Sequence, residues 1–357
     1  MPKLSGNKGE WSELYALLHL LAQGKLYAAD ENVRKIDHTF FPIIKILRDE
    51  QADTHYEYHL SSETTVEIYL NGVKRKSISR AKLHEYAQQL YASIVSGENR
   101  AFHIDGAEQI MGDIECTRIA APSSDKTDIT MQIHDIQTGY EPICGFSIKS
   151  ELGNPPTLLN ASGATNFAFE VIGVTDEQMD EINAIDTRNK ILDRIAKIQE
   201  YGSLKFSKSV SDTFSNNLML VDSRMEEIIA AMLLYQYETG VVDCAAVITA
   251  LEDSNPLNFP RRGFYEYKFK KLLCSVALGM VPSAEWDGHD DANGGYIIVT
   301  TDGEVLAYHI YNRDFFETYL LRNTRFERGS TSRHKFASIY KDGDKKYINL
   351  NLQVRFK

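Results

Sequence analysis

The sequence predicts a mixed α+β or α/β fold: a helix-and-sheet core over residues 1–175, with a mixed central sheet flanked by helices, then a helical and β-hairpin region over residues 176–357 that can pack on the same core. Three observations carry this prediction. Segments such as DITMQIHD (128–135) and ICGFSIKS (143–150) alternate apolar and polar residues, the period of a strand with one buried face. Longer segments place apolar residues every three or four positions, the period of a helix with one buried stripe. At 357 residues and 43% hydrophobic content, the chain is long and apolar enough to bury a large core.

The elements follow in order. WSELYALLHLLAQG (11–24) sets Trp11, Leu14, Leu18 and Leu21 on one helical stripe, and Gly24 ends it. KLYAADENV (25–33) opens a strand or loop, HYEYHLS (55–61) and TVEIYLNG (65–72) read as strands, and SRAKLHEYAQQLYASIVSG (79–97) is a helix stopped by Gly97. DGAEQIMGDIE (105–115) carries a weaker helical pattern. The strands DITMQIHD and ICGFSIKS flank a turn-like TGYEP (138–142), and the loop ELGNPPTLLNASG (151–163) leads to a strand, NFAFEVIGV (166–174). Helices are then expected in TDEQMDEINAI, NKILDRIAKIQEYG, SRMEEIIAAMLLYQYETG, VDCAAVITALE and KFKKLLCSVALG. The hairpin YIIVTTDGEVLAYHIY (296–311) should turn at Asp302-Gly303 and FASIYKDGDKKYINLNLQVRF (336–356) at Asp342-Gly343, with the helix DFFETYLLRNTRFE (314–327) between them. There is no repeat and no proline-rich linker.

Composition excludes several classes. No run of about 18 apolar residues could span a bilayer, and the polar start MPKLSGNKGEW lacks a signal peptide's apolar core. A cytoplasmic protein is expected. The four cysteines are far apart, without a CxxC pair, which points to reduced thiols and away from structural zinc. A net charge of -11 argues at first against a nucleic-acid partner. That sum hides an asymmetry: Arg313 to Lys357 holds 11 basic and 5 acidic residues, net +6, leaving -17 for the preceding chain. A basic terminal segment is either a solvated face or the electrostatic footprint of a polyanion partner.

Chemistry concentrates in the two alternating strands. Asp128, Thr130 and Gln132 share one face of the first, and Ser147 and Lys149 one face of the second. Paired as a hairpin, they bring Asp128 and Lys149 together on the polar side. The pattern resembles the active-site hairpin of the PD-(D/E)xK nucleases, where an Asp begins one strand and a (D/E)xK triplet lies on the next. The competing reading is a surface salt bridge, worth little to stability. In the nuclease reading a hard cation such as Mg2+ takes the Asp128 oxygens, and Lys149 orients the attacking water or stabilises developing charge. The triplet here is Ser147-Ile148-Lys149, with Ser147 in the carboxylate slot. A second acid must therefore come from elsewhere. KGEWSELY resembles the first helix of many nucleases of this superfamily, which makes Glu13 the first choice, with Glu170 and Glu151 as alternatives and the Ile148 carbonyl as a further metal ligand.

Longer words extend the match. KGEWSELYALLHLLAQGKLYAADEN, GFSIKSELGNPPTLLNASGATNF, LLRNTRFERGSTSRH and YINLNLQVRF resemble, in that order, the HpaII family of type II restriction endonucleases. The resemblance implies a restriction-endonuclease-like core, Mg2+-dependent hydrolysis of both strands of double-stranded DNA at CCGG, and a methyltransferase that protects the host genome. Two other readings stay open: a nuclease-fold protein that binds DNA without cutting, because Ser147 replaces the acid, and a repair or structure-specific nuclease.

Reading CCGG calls for Arg or Lys at guanine edges. Arg333 is the first candidate, followed by His334, Lys335, Thr331 and Ser332; Arg322, Arg325 and Arg328 suit phosphates. Asn160, Ser162, Thr165 and Asn166, on the loop after the catalytic strand, either approach a groove or make local turns. A palindromic site suits a homodimer, for which the helices Met225–Tyr237 and Val242–Leu251 offer a face, unless they simply pack in the core.

Overall fold

The computed structural model describes residues 4–51, 53–98, 100–122, 127–308 and 313–357. In chain order it contains α1 (Lys8–Gln23), β1 (Lys25–Ala29), β2 (Lys35–Gln51), β3 (Thr54–His59), β4 (Thr65–Leu70), β5 (Val73–Ser79), α2 (Arg80–Ser96), α3 (Ala107–Asp113), β6 (Ile129–Ile133) and β7 (Ile143–Ser150). There follow β8 (Thr157–Leu159), β9 (Asn166–Ile172), α4 (Asp176–Ala184), α5 (Lys190–Tyr201), β10 (Ser203–Ser209), α6 (Asp212–Val221), α7 (Met225–Thr239), α8 (Cys244–Ser254) and α9 (Phe264–Leu278). The chain closes with β11 (Gly295–Val299), β12 (Val305–Tyr308), α10 (Arg313–Asn323), β13 (Thr324–Phe326), α11 (Thr331–His334), β14 (Ile339–Asp342), β15 (Lys345–Asn351) and β16 (Val354–Phe356). The mixed α/β character expected from the sequence is present. Residues 309–311 of the first predicted hairpin, and 1–3 of the polar start, lie outside the described residues.

The chain divides into two compact units, residues 1–155 with 290–319, and 156–289 with 320–357. The strand NFAFEVIGV, which the sequence reading grouped with a core ending near residue 175, is therefore in the second unit, while β11 and β12 are in the first.

In the first unit nine strands join in the order β1-β12-β11-β7-β6-β2-β3-β4-β5. The β1–β12 and β7–β11 pairs are parallel and the others antiparallel, so the sheet is mixed. β2 also pairs with β1, so β1, β12, β11, β7, β6 and β2 close into a circuit of six strands. β2 changes partner near Pro42, where the missing N–H makes a ladder bond impossible. The sequence reading passed over β2: its run FFPIIKIL is apolar without alternation and holds a proline.

α1 packs across this sheet. Asn7 caps it in a reciprocal box with Glu10, and Gly24 closes it in the left-handed conformation at φ 70°. The predicted stripe Trp11, Leu14, Leu18 and Leu21 is fully buried, in one core with Ile46, Met131, Phe146 and Ile148 of the strands. Each such side chain contributes about 1.5–3 kcal/mol on burial.

The second unit holds a four-stranded sheet, β10-β9-β15-β14, and a three-stranded one, β13-β16-β8. The predicted helix 314–327 ends at Asn323: Thr324, Arg325 and Phe326 are a strand, because Thr324 and Phe326 bury against β16. The predicted last hairpin is likewise split between two sheets, β14–β15 and β16, and its two-residue turn is Gly343-Asp344. α7 buries Ile228, Ile229, Met232, Leu233 and Tyr237 within its own unit. Core packing thus accounts for this helix, and nothing in it requires a subunit interface. Among the described residues no helix is long and apolar enough to cross a membrane.

Candidate active site

The β6–β7 register sets Ile129 opposite Phe146 and Thr130 opposite Gly145, which brings Asp128 level with Ser147 at the start of the ladder. Asp128 N–H donates to the Phe146 carbonyl at 2.9 Å. The Asp128 carboxylate turns back on β7, its Oδ2 accepting from the Ile148 N–H at 2.6 Å and from the Ser147 hydroxyl at 3.0 Å. Lys149 Nζ donates to the same Ser147 Oγ at 2.9 Å and stands over the Tyr296 ring, 5.4 Å from its centroid. Asp128 and Lys149 are thus joined through Ser147 instead of facing each other directly.

Glu13 comes from the middle of α1. Its Oε2 accepts from the Ala121 N–H at 2.8 Å. Burial pushes its carboxyl up to about 8, with the nearby Asp128 charge adding to the rise and Lys149 and Arg48 opposing it. Glu13, Asp128 and Lys149 therefore share one electrostatic neighbourhood. Ser12, one residue earlier, binds Ser150 Oγ at 2.8 Å and pins α1 to the end of β7. Of the alternative acids, Glu170 belongs to the second unit, paired with Lys345 at 3.1 Å, and Glu151 follows β7, its carboxyl raised by burial.

A cleft of about 720 Å3 opens beside Asp128, lined also by Arg48, Arg118 and Thr130. Arg48 is held by Glu50, whose carboxylate also takes the Thr117 N–H at 3.0 Å. Neither arginine was singled out in the sequence. Their signal is tertiary, because Arg48 falls in the unrecognised β2 and Arg118 in irregular chain.

No cluster of three or more His, Cys, Asp or Glu suited to a metal occurs among the described residues. Two neighbouring carboxylates, with the Asp128 charge adding to the rise of Glu13, nevertheless fit a divalent cation that keeps several waters. Asp128 Oδ1 has no hydrogen-bond partner among the described residues, so an oxygen donor remains available there.

In the second unit the predicted DNA-reading residues gather into two packed loops. Ser330 caps α11 through the Arg333 N–H, and Ser332, Arg333 and Lys335 are exposed, with Lys335 left-handed at φ 52°. Asn166 is 3% exposed: its amide donates to the His334 carbonyl at 2.8 Å, and its oxygen accepts from Asn351 Nδ2 at 2.7 Å. Asn351 also donates to the Ser162 carbonyl at 2.8 Å. Buried Asn166 and Thr165 therefore make local contacts, one of the two roles open to them from the sequence, while Asn160 stays exposed and Ser162 half-buried. Arg325 stands on β13, in the strand that replaced the end of the predicted helix.

A hairpin aspartate and lysine beside a helix-borne glutamate, in one unit of a mixed α/β chain, suit the nuclease class of site. The chain belongs to the HpaII restriction endonuclease family, whose family model matches residues 7–356. It is 42% identical to the type II restriction enzyme HpaII of Haemophilus parainfluenzae over 99% of this chain and 98% of that protein. No solved structure matches the chain.

Proposed function

We propose that this protein is a type II restriction endonuclease that cuts both strands of double-stranded DNA at CCGG, in the cytoplasm, with Mg2+, from a restriction-endonuclease-like core. The observation that carries this reading is the Lys149–Ser147–Asp128 hydrogen-bond chain with Glu13 beside it. Asp128 and Glu13, with the Ile148 carbonyl, would hold the cation. Mg2+ there supplies Lewis acidity toward a phosphoryl oxygen and acidifies a bound water.

The chain's own groups do the rest. The Ile148 N–H and Ser147 hydroxyl fix one Asp128 oxygen and leave the other for a ligand. Lys149, anchored on Ser147, places an ammonium where the attacking oxygen loses its proton or the phosphorane gathers charge. Glu13 must give up its proton before it can act as a ligand. Ser332, Arg333, His334 and Lys335 read the groove with Asn160 and Ser162 near, and Arg325 meets a phosphate. A palindromic target suits two copies related by a two-fold axis, each cutting one strand.

Incubation of plasmid with the protein and Mg2+ tests the reading. Discrete fragments ending at CCGG support it. Gel retardation without cutting indicates a binding protein with a silent site, which the serine in the acid slot would explain, and cutting restricted to branched or damaged DNA indicates a structure-specific nuclease. Lys149→Ala should abolish cleavage and leave binding largely intact.

A further inference from the structure

We infer that Arg118 binds the backbone phosphate next to the scissile one on the strand being cut, an assignment that rests on the reading of the chain as an endonuclease that cuts at Asp128. Arg118 and Asp128 line the same cleft. Of the two arginines there, Arg118 is the accessible one, with 36% of its side chain exposed against 13% for Arg48. Its Nη2 donates to the Asp49 carbonyl, which orients the guanidinium, and no described residue accepts a hydrogen bond from Nη1. Both arginines share one buried carboxylate: Glu50 accepts from Arg48 Nε and lies 3.8 Å from Arg118 Nε. Two other acids of the cleft are turned elsewhere, Asp49 to His55 at 2.6 Å and Glu57 to Lys45 at 3.0 Å. Asp128 and Asp291 add negative charge to the same walls, in a chain whose first 312 residues carry a net -17. A phosphate entering this cleft is repelled unless a cation meets it there.

The backbone ties Arg118 to the cutting site. Glu50 accepts from the Thr117 N–H at 3.0 Å, one residue before Arg118, and the Arg118 carbonyl accepts from Arg48 Nη2. Three residues after Arg118, the Ala121 N–H donates to Glu13 at 2.8 Å. Residues 117–121 are therefore pinned at one end by Glu50 and at the other by the glutamate assigned to the cation. Arg118 is held in a fixed place relative to that glutamate. A scissile phosphate at Asp128 is joined along its own strand to further phosphates, so those are the DNA groups that come next in the cleft. A guanidinium presents parallel N–H donors that match phosphate oxygens.

The test uses the full-length protein with Ca2+ in place of Mg2+, and duplexes of the site that the wild type cuts, with one methylphosphonate at each backbone position of the cut strand in turn. Neutralising the phosphate beside the scissile one should weaken wild-type binding by roughly 10- to 150-fold. Arg118→Ala should bind the unmodified duplex more weakly by a similar factor, lose nothing further at that position, and keep its base preference with a salt slope lowered by about one. Arg118→Gln keeps a donor for the Asp49 carbonyl and should behave alike, so misfolding of the alanine variant does not obscure the outcome. A flanking methylphosphonate that costs both variants as much as the wild type, or costs the wild type nothing, overturns the assignment. So does coupling confined to the scissile phosphate, or discrimination lost at one base pair. Wild-type protein that cuts no duplex with Mg2+ overturns the endonuclease reading and this site together.

Discussion

Ser147 supplies geometry without charge: its hydroxyl bridges Lys149 and Asp128, and Glu13 of α1 is within electrostatic reach of both. Ser147→Ala should leave Asp128 held by the Ile148 N–H but free Lys149, lowering kcat more than KM in steady-state cleavage. Among the acids, Glu13→Gln should cost far more activity than Glu170→Gln, whose parent already pairs with Lys345; equal damage would remove Glu13 from the mechanism. The pH dependence follows from the raised Glu13 carboxyl, about 8 when folded against about 4.3 in an unfolded chain. Its stabilising contribution is complete below the unfolded value and is lost as pH rises through the folded one. At about 1.4 kcal/mol per pKa unit, and with part of the group in contact with solvent, Glu13→Gln should stabilise the cation-free protein at pH 8 by roughly 1–4 kcal/mol and leave it unchanged near pH 4; denaturant melts in EDTA check this. Asp128 and Lys149 were legible because strand alternation assigns side chains to faces. The bond from Glu13 to Ala121 was not, since it joins residues 108 positions apart.

Among the elements, α1 was the plainest to read, with its apolar stripe and its stop at Gly24 both local. Asn7→Ala should cost about 1 kcal/mol through loss of the capping box. Its further effect, measurable as weaker cleavage, would come from a loosened Glu13. In the second unit the loops at 160–166 and 330–335 depend on Asn351, which is 1% exposed and donates to the Ser162 carbonyl and the Asn166 oxygen. Asn351→Ala leaves the buried Asn166 oxygen without its donor, at about 1–3 kcal/mol, and should weaken specific binding along with stability, as thermal melts and gel shifts would report. The helix predicted to 327 stopped at Asn323 because pairing with β16 outweighed a continuing helical pattern. Propensity is a local bias of about 1 kcal/mol at most per ordinary residue, so a buried strand pair overrides it.

For the whole molecule, charge distribution governs encounter with DNA. A net -17 over residues 1–312 against +6 beyond confines attraction to the terminal segment, so binding should weaken steeply with salt, by about 0.9 log units per phosphate contact per log unit of salt. Arg322→Ala, on an exposed side chain, should lower that slope by about one without changing base preference, and titrations at several salt concentrations decide it. By itself the sequence determined the mixed class of the fold, most strands and helices, the buried stripe of α1, the Asp128 and Lys149 hairpin and the family. Those depend on periodicities and words only a few residues long. Tertiary structure alone decided that β2 closes a circuit of six strands, that residues 290–319 return to the first unit, and that Arg325 opposes Arg355. These depend on which distant segments pair, a choice made by burial and strand register across the whole chain and written in no single stretch of it.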